Sequence, residues 1–172
     1  MDLREVIRDV PDFPKPGILF KDITPVMENP EAFRTALAGM KKLLDPVDYD
    51  AFAAIESRGF VFGAPLGVDL DKPLVLLRKK GKLPAETREV TYDLEDGHAT
   101  LEMHVDSVAP GDRVVIVDDL LATGGTALAS AQLVREAGGV VAGFLFMVEL
   151  EFLGGRAQLA ELGAVFSVVH CA

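Results

Sequence analysis

The sequence predicts an α/β fold, a mostly parallel central sheet flanked by helices with a β-hairpin excursion over one edge. Three observations predict it. Short apolar runs, among them 51–55 (AFAAI), 74–77 (LVLL) and 114–117 (VVIV), suit strands buried on both faces of a parallel sheet. Helical segments separate them, so successive parallel strands need right-handed crossovers. Residues 90–94 and 100–105 flank Glu95-Asp96-Gly97-His98, and Asp-Gly between alternating runs signals a hairpin.

The elements follow in order. Residues 2–9 predict a short helix. Pro11, Pro14, Pro16 and Pro25 make 11–25 irregular. Asn29-Pro30 reads as the N-cap and first position of a helix reaching about Leu44. A strand is expected over 51–55, a helix over 59–70 despite Gly63, Pro65 and Gly67, and a second core strand over 74–77. The polar stretch 79–89, with Gly81 and Pro84, reads as a loop. After the hairpin, Ala109-Pro110-Gly111-Asp112 turns into the strand that begins at Val114. A helix over 127–137 stops at Gly138-Gly139. Residues 140–150 form another buried strand, 156–162 a short helix and 164–169 a last strand. No repeat or low-complexity segment interrupts residues 1–172, which read as one domain.

Composition excludes several function classes. A formal net charge of −10 opposes binding to nucleic acid through general electrostatics. The apolar stretches are far shorter than a membrane span. The N-terminal MDLREVIRDV has early acids and no long apolar core, unlike a signal peptide. The one cysteine, Cys171, has no internal disulfide partner, and these features together predict a cytoplasmic protein. His98, His104 and His170 stand at no metal-ligand spacing and read as structural or solvated.

The most informative run is 114–126, VVIVDDLLATGGT. Two carboxylates, Asp118 and Asp119, stand where the β-branched strand is expected to end. The turn Ala122-Thr123-Gly124-Gly125-Thr126 then opens a helix. Ligands of open α/β sheets bind at the carboxyl ends of strands. A turn at a helix N-terminus presents N–H groups to a phosphate. The carboxylates suit hydroxyls or a metal, and a phosphate beside a diol is a sugar phosphate. Taken separately, Asp118-Asp119 also suits helix capping, and Gly124-Gly125 a plain tight turn. The chain contains no G-x-G-x-x-G at this turn, no G-x-x-x-x-G-K-[ST], no G-x-S-x-G and no H-E-x-x-H. Against the acidic background, Arg58 and the cluster RKKGK at 78–82 are candidates for a pyrophosphate. A surface turn and a solvated basic patch are their plain alternatives.

The run resembles the phosphoribosyl-pyrophosphate (PRPP) signature of type I phosphoribosyltransferases. Segments 13–22 (FPKPGILFKD), 56–60 (ESRGF), 78–84 (RKKGKLP) and 91–95 (TYDLE), followed by Leu101-Glu102, extend the resemblance over nearly the whole chain, to the adenine branch of the family. It implies a type I phosphoribosyltransferase-like sheet and transfer of a phosphoribosyl group from PRPP to adenine, giving AMP and pyrophosphate. By matching positions, Asp118 and Asp119 would bind the ribose hydroxyls, and Ala122, Thr123, Gly124, Gly125 and Thr126 the 5′-phosphate. Ser57, Arg58, Gly59, Arg78, Lys79 and Lys82 would bind the pyrophosphate. Backbone groups of Leu19 and Lys21 would read the adenine edge, with Phe20 and Leu150 in the pocket wall, although these two also suit ordinary core.

Ala122 stands where six-oxopurine enzymes place an aspartate, so the acid–base role falls by resemblance to Glu95 on the hairpin. The adenine branch often follows that glutamate with a tyrosine. Here Asp96 follows, and Asp96-Gly97 makes a good turn but offers no ring to stack on or shield the site. The resemblance also implies a homodimer and Mg²⁺ held mainly by substrate oxygens rather than by a protein cage. Two rivals stand beside this reading: an enzyme of the same fold acting on hypoxanthine, xanthine or orotate, and a PRPP-sensing regulator without catalysis.

Overall fold

The computed structural model describes residues 1–94 and 96–172. Seven strands form the main sheet in the order β5-β6-β4-β3-β7-β8-β9. They span Ala51–Ile55 (β3), Leu74–Lys79 (β4), Thr87–Asp93 (β5), His98–His104 (β6), Arg113–Leu121 (β7), Val140–Leu150 (β8) and Ala164–Cys171 (β9). The five strands from β4 to β9 in that order are parallel. The hairpin β5–β6 is antiparallel and joins the edge of β4 through the pairs Arg78↔Glu102 and Lys79↔Leu101. It therefore prolongs the sheet at its base, and only its far end is free to overhang.

The apolar runs are explained by burial on both faces. Along β7, Val114 and Ile116 enter one core with Phe144, Phe146, Leu133 and Val134. Val115 and Val117 enter the opposite core with Phe52, Phe62, Leu66 and Met147. All four β7 residues are fully buried, so the strand has no polar face. Burying each such side chain contributes about 1.5–3 kcal/mol. The helix Gly125–Glu136 (α4) covers the first face. The helices Pro30–Leu43 (α2) and Arg58–Asp69 (α3) cover the second. As expected, Asn29 caps α2, its Oδ1 accepting from the amides of Glu31 and Ala32 at 3.0 and 3.2 Å. Ala32, Ala36 and Met40 then line one buried stripe at four-residue spacing.

The N-terminal expectations need correction. The helix expected over 2–9 is only a 3₁₀ turn at Leu3–Glu5, followed by the strand Arg8–Pro11 (β1). The stretch 11–25 is not wholly irregular, because Leu19–Asp22 (β2) pairs antiparallel with β1, and the short helix Thr24–Glu28 (α1) follows. The prolines did not forbid this ribbon: Pro11 ends β1, where a missing N–H is tolerated.

From β3 the chain proceeds through α3 to β4 on one side. From β7 it proceeds through α4 to β8 on the other. The β3–β7 junction is therefore the point at which the direction of winding reverses, the usual place for a ligand crevice.

Candidate active site

The crevice opens because β7 loses one neighbour before the other. Its pairing with β3 ends at Ala54↔Val117, whereas its pairing with β8 runs on to Leu121↔Glu149. The sequence placed Asp118 and Asp119 at the strand end, but β7 continues beyond them to Leu121. They lie just beyond the last β3 partner, where the β3 side of β7 is unpaired and open.

Two 12-residue helices begin at this crevice. The N-cap of α3 is Ser57 and that of α4 is Gly124, and neither makes a side-chain capping bond. First-turn N–H groups lack intrahelical partners, so both ends suit anions. Gly124 adopts φ +92°, which an L side chain rarely tolerates, and so turns the chain from β7 into α4. Gly59 meets a different demand. A Cβ there would lie 2.9 Å from the Val117 carbonyl oxygen and 3.1 Å from Asp118 Oδ1. Only glycine lets α3 approach β7 this closely.

A cavity of about 360 Å³ is lined by Glu56, Ser57, Arg58, Lys79, Tyr92, Asp118, Asp119 and Thr126, with Ile55 and Leu101. A second, of about 350 Å³, shares Asp118 and Thr126 with it. It runs along the 122–126 turn to Leu94, Phe146 and Leu153. Together they bring the carboxylates, the turn, the β3–α3 loop and Lys79 into one cleft. Gly59 stands behind it, against Asp118.

Other expected residues are placed differently. Arg78 donates from Nε to Glu56 Oε2 at 2.7 Å and from Nη1 to the Lys82 carbonyl at 3.3 Å. It thus braces the basic loop against the end of β3, and neither it nor Lys82 is among the described residues lining the two cavities. Leu19, Phe20 and Lys21 form β2, where the Phe20 ring meets Phe13 edge-on at 5.2 Å. Leu150 is buried at the end of β8, paired with Cys171. Burial pushes the Cys171 thiol up, while the nearby Lys21 charge opposes the shift. Glu95 lies outside the described residues.

The electrostatics centre on the acidic pair. Burial, and then the Asp119 charge, push the Asp118 carboxyl well above the usual carboxylate range. Asp118 Oδ1 accepts from the Asp119 amide at 2.8 Å. Asp119 is buried and accepts from Arg58 Nε, while the Arg58 side chain remains 55% exposed. The hydrogen bond that Arg58 donates to Asp119, followed by neighbouring carboxylate charge, raises the Arg58 pKa against the effect of its burial. The Arg58 guanidinium therefore already spans the gap between the carboxylates and the β3–α3 loop.

Sequence reasoning missed two contributors. Tyr92 on β5 places its hydroxyl 3.1 Å from Thr126 Oγ1, tying the hairpin to the α4 N-terminus. Its alternation within β5 was visible, but the partner across the fold was not. Gly155 packs behind the 122–126 turn, where a Cβ would lie 2.3 Å from the Ala122 carbonyl oxygen. The Gly154-Gly155 pair was the available signal.

Two expectations follow. A raised Asp118 pKa means that the folded state holds this proton more tightly than the unfolded chain. Ionised Asp118 therefore costs stability above its folded pKa, and the cost is relieved as pH falls toward the ordinary carboxylate range. Asp118→Asn should raise the melting temperature of the ligand-free protein at neutral pH, with a gain that shrinks on acidification in a thermal-melt series. Tyr92→Phe removes one hydrogen bond, a net of about 0.5–1.5 kcal/mol. A denaturant titration of the Tyr92→Phe protein should show a loss of that size in unfolding free energy.

Comparison with known proteins agrees with this geometry. The phosphoribosyl transferase domain family matches residues 32–149. The adenine phosphoribosyltransferase of Butyrivibrio fibrisolvens is 56% identical over 157 residues, covering 91% of this chain and 87% of the relative. The crystal structure of adenine phosphoribosyltransferase from Thermoanaerobacter pseudethanolicus superposes with a TM-score of 0.94 at 50% identity, covering 99% of this chain and all of that one. The Saccharomyces cerevisiae enzyme, solved with adenine and an imino-altritol bisphosphate, has a TM-score of 0.91 at 37% identity, with 96% of each chain covered. The family match over residues 32–149 and these highly similar relatives show that this chain belongs to the phosphoribosyltransferase family, in its adenine phosphoribosyltransferase branch.

Proposed function

We infer that the chain transfers the 5-phosphoribosyl group of PRPP to adenine, giving AMP and pyrophosphate, a step of purine salvage. The observation that carries this reading is the acidic pair beside the α4 N-terminus, facing Arg58 and Lys79 across one cleft.

In this reading residues 1–172 act as one phosphoribosyltransferase domain. The amides of the 122–126 turn take the 5′-phosphate, supported by the helix N-terminus. Asp118 and Asp119 accept from the ribose 2′ and 3′ hydroxyls, so diol binding offsets the repulsion between them. Arg58 exchanges its bond to Asp119 for the pyrophosphate, helped by Ser57, Gly59 and Lys79. Arg78 supports that loop through Glu56, and Lys82 adds charge from outside the cavity. Leu19 and Lys21 read the adenine edge through backbone groups, with Phe20 and Leu150 as the apolar wall.

The purine N9–C1′ bond forms as the C1′–pyrophosphate oxygen bond breaks, and pyrophosphate leaves with the electron pair. Positive charge grows on the ribose ring, close to the acidic pair, and negative charge grows beside Arg58 and Lys79. The proton lost by adenine passes to Glu95, by resemblance to the family. Asp118 and Asp119 are the oxygen donors nearest the expected diol, and Glu56 lines the same cavity. One or two carboxylates suit Mg²⁺ carried on substrate oxygens, where it would neutralise pyrophosphate charge. A homodimer and a cytoplasmic location complete the proposal. The lone cysteine is consistent with that compartment, and among the described residues no helix is long and apolar enough to cross a membrane.

The test is AMP formation from adenine, PRPP and Mg²⁺, with hypoxanthine, guanine, xanthine and orotate in parallel. The reading expects AMP with adenine and no nucleotide from the other bases. Nucleotide formation with another base and none with adenine would overturn it.

A further inference from the structure

The charge pair on the far side of the 122–126 turn, a buried Glu149 and a half-exposed Arg156, has no place in the chemistry above. Glu149 is 2% exposed, at the end of β8, and is the cross-strand partner of Leu121, the residue before the turn. Arg156 donates from Nε to Glu149 Oε1 at 2.9 Å and from Nη2 to Oε2. Its Nη1 donates to the Val165 carbonyl at 2.7 Å, and Ser167 Oγ donates to Glu149 Oε2 at 2.8 Å. Burial pushes the Glu149 carboxyl up, but the bonds from Arg156 and Ser167 outweigh it and hold the group below its usual range.

Arg156 belongs to the short helix Gly155–Leu159 (α5), and the residue before it touches the turn. Gly155 packs backbone to backbone there: a Cβ on it would lie 2.3 Å from the Ala122 oxygen and 3.1 Å from the Gly124 amide nitrogen. From the other side, a Cβ on Gly124 would lie 3.2 Å from the Gly155 carbonyl oxygen. Neither glycine has a side chain to lock this contact. The anchors of α5 are the Arg156 fork and the buried Leu159. An ion pair whose cation stays half-exposed adds little net stability. A two-pronged fork does fix direction.

We propose that Arg156 is a positioning residue for the phosphate-binding turn: clamped by Glu149 and Val165, it holds the Gly155 backbone against Ala122 and Gly124 and so sets where the turn's amides point. The proposal rests on the reading that this turn takes the 5′-phosphate of PRPP. It concerns binding of the phosphate end, and leaves the pyrophosphate loop, built on β3 and α3, untouched.

The experiment compares two probes by calorimetry, ribose 5-phosphate and pyrophosphate with Mg²⁺, on wild type, Arg156→Met and Arg156→Lys, with circular dichroism to confirm folding. Misdirecting one amide away from a charged phosphate loses a charge-assisted hydrogen bond, so a loss of at least about tenfold in ribose 5-phosphate affinity is expected for Arg156→Met. Pyrophosphate affinity should stay within about twofold, and Arg156→Lys should recover part of the loss. Should Arg156→Met fail to fold, Gly155→Ala must produce the same ligand-selective loss, because its methyl group pushes the turn directly. Equal weakening of both probes, or of neither, would overturn the proposal. Failure of the wild type to bind ribose 5-phosphate would instead overturn the phosphate-turn reading, and the positioning role with it.

Discussion

Two adjacent carboxylates stand where β7 has lost β3 but still holds β8, and the rest of the site is arranged around that charge. Ion pairing with Arg58 relieves one of them, and burial beside the other pushes Asp118 toward its protonated form. Neither is a comfortable resting state. A ligand that offers two hydroxyl donors and draws Arg58 toward its own anion resolves both tensions at once. The acidic pair thus links three segments distant in sequence: the β3–α3 loop, the β7 edge and the turn into α4.

The backbone makes this possible at points where side chains are missing. Gly59 lets α3 approach within van der Waals contact of Val117 and Asp118, so the β3–α3 loop and the carboxylates share one cavity. Gly124 turns the chain into α4, and Gly155 supports that turn from behind. The residues proposed to read the base lie in a separate region. The β1–β2 ribbon carries Phe20 against Phe13, and Lys21 lies near Cys171, the strand partner of Leu150. The residues proposed to bind phosphate therefore sit at the seven-stranded sheet, and those proposed to read the base on a separate two-stranded ribbon.

Legibility in the sequence followed how local each signal was. The strands at 51–55 and 140–150 were plain, because burial on both faces leaves an unbroken apolar run. Asn29-Pro30 carried its own cap. The ribbon β1–β2 was missed because its pairing joins residues on either side of a proline-rich turn. Asp118 and Asp119 were found as site candidates but misplaced at the strand end, since only the unequal lengths of the β3 and β8 pairings show where the strand is open. The basic cluster could not reveal which cation faces the cleft. Lys79 does, whereas Arg78 is held by Glu56, a partner 22 positions away. Tyr92 and Arg156 were silent for the same reason: each acts through a contact made only by the folded chain.

The central claim is that the acidic pair exchanges Arg58 for the ribose diol. The most direct measurement is a crystal structure of the chain with PRPP and Mg²⁺. The account predicts ribose hydroxyls within hydrogen-bonding distance of Asp118 and Asp119, with Arg58 released from Asp119 onto the pyrophosphate. Ribose bound elsewhere, with the Arg58–Asp119 pair intact, would contradict it.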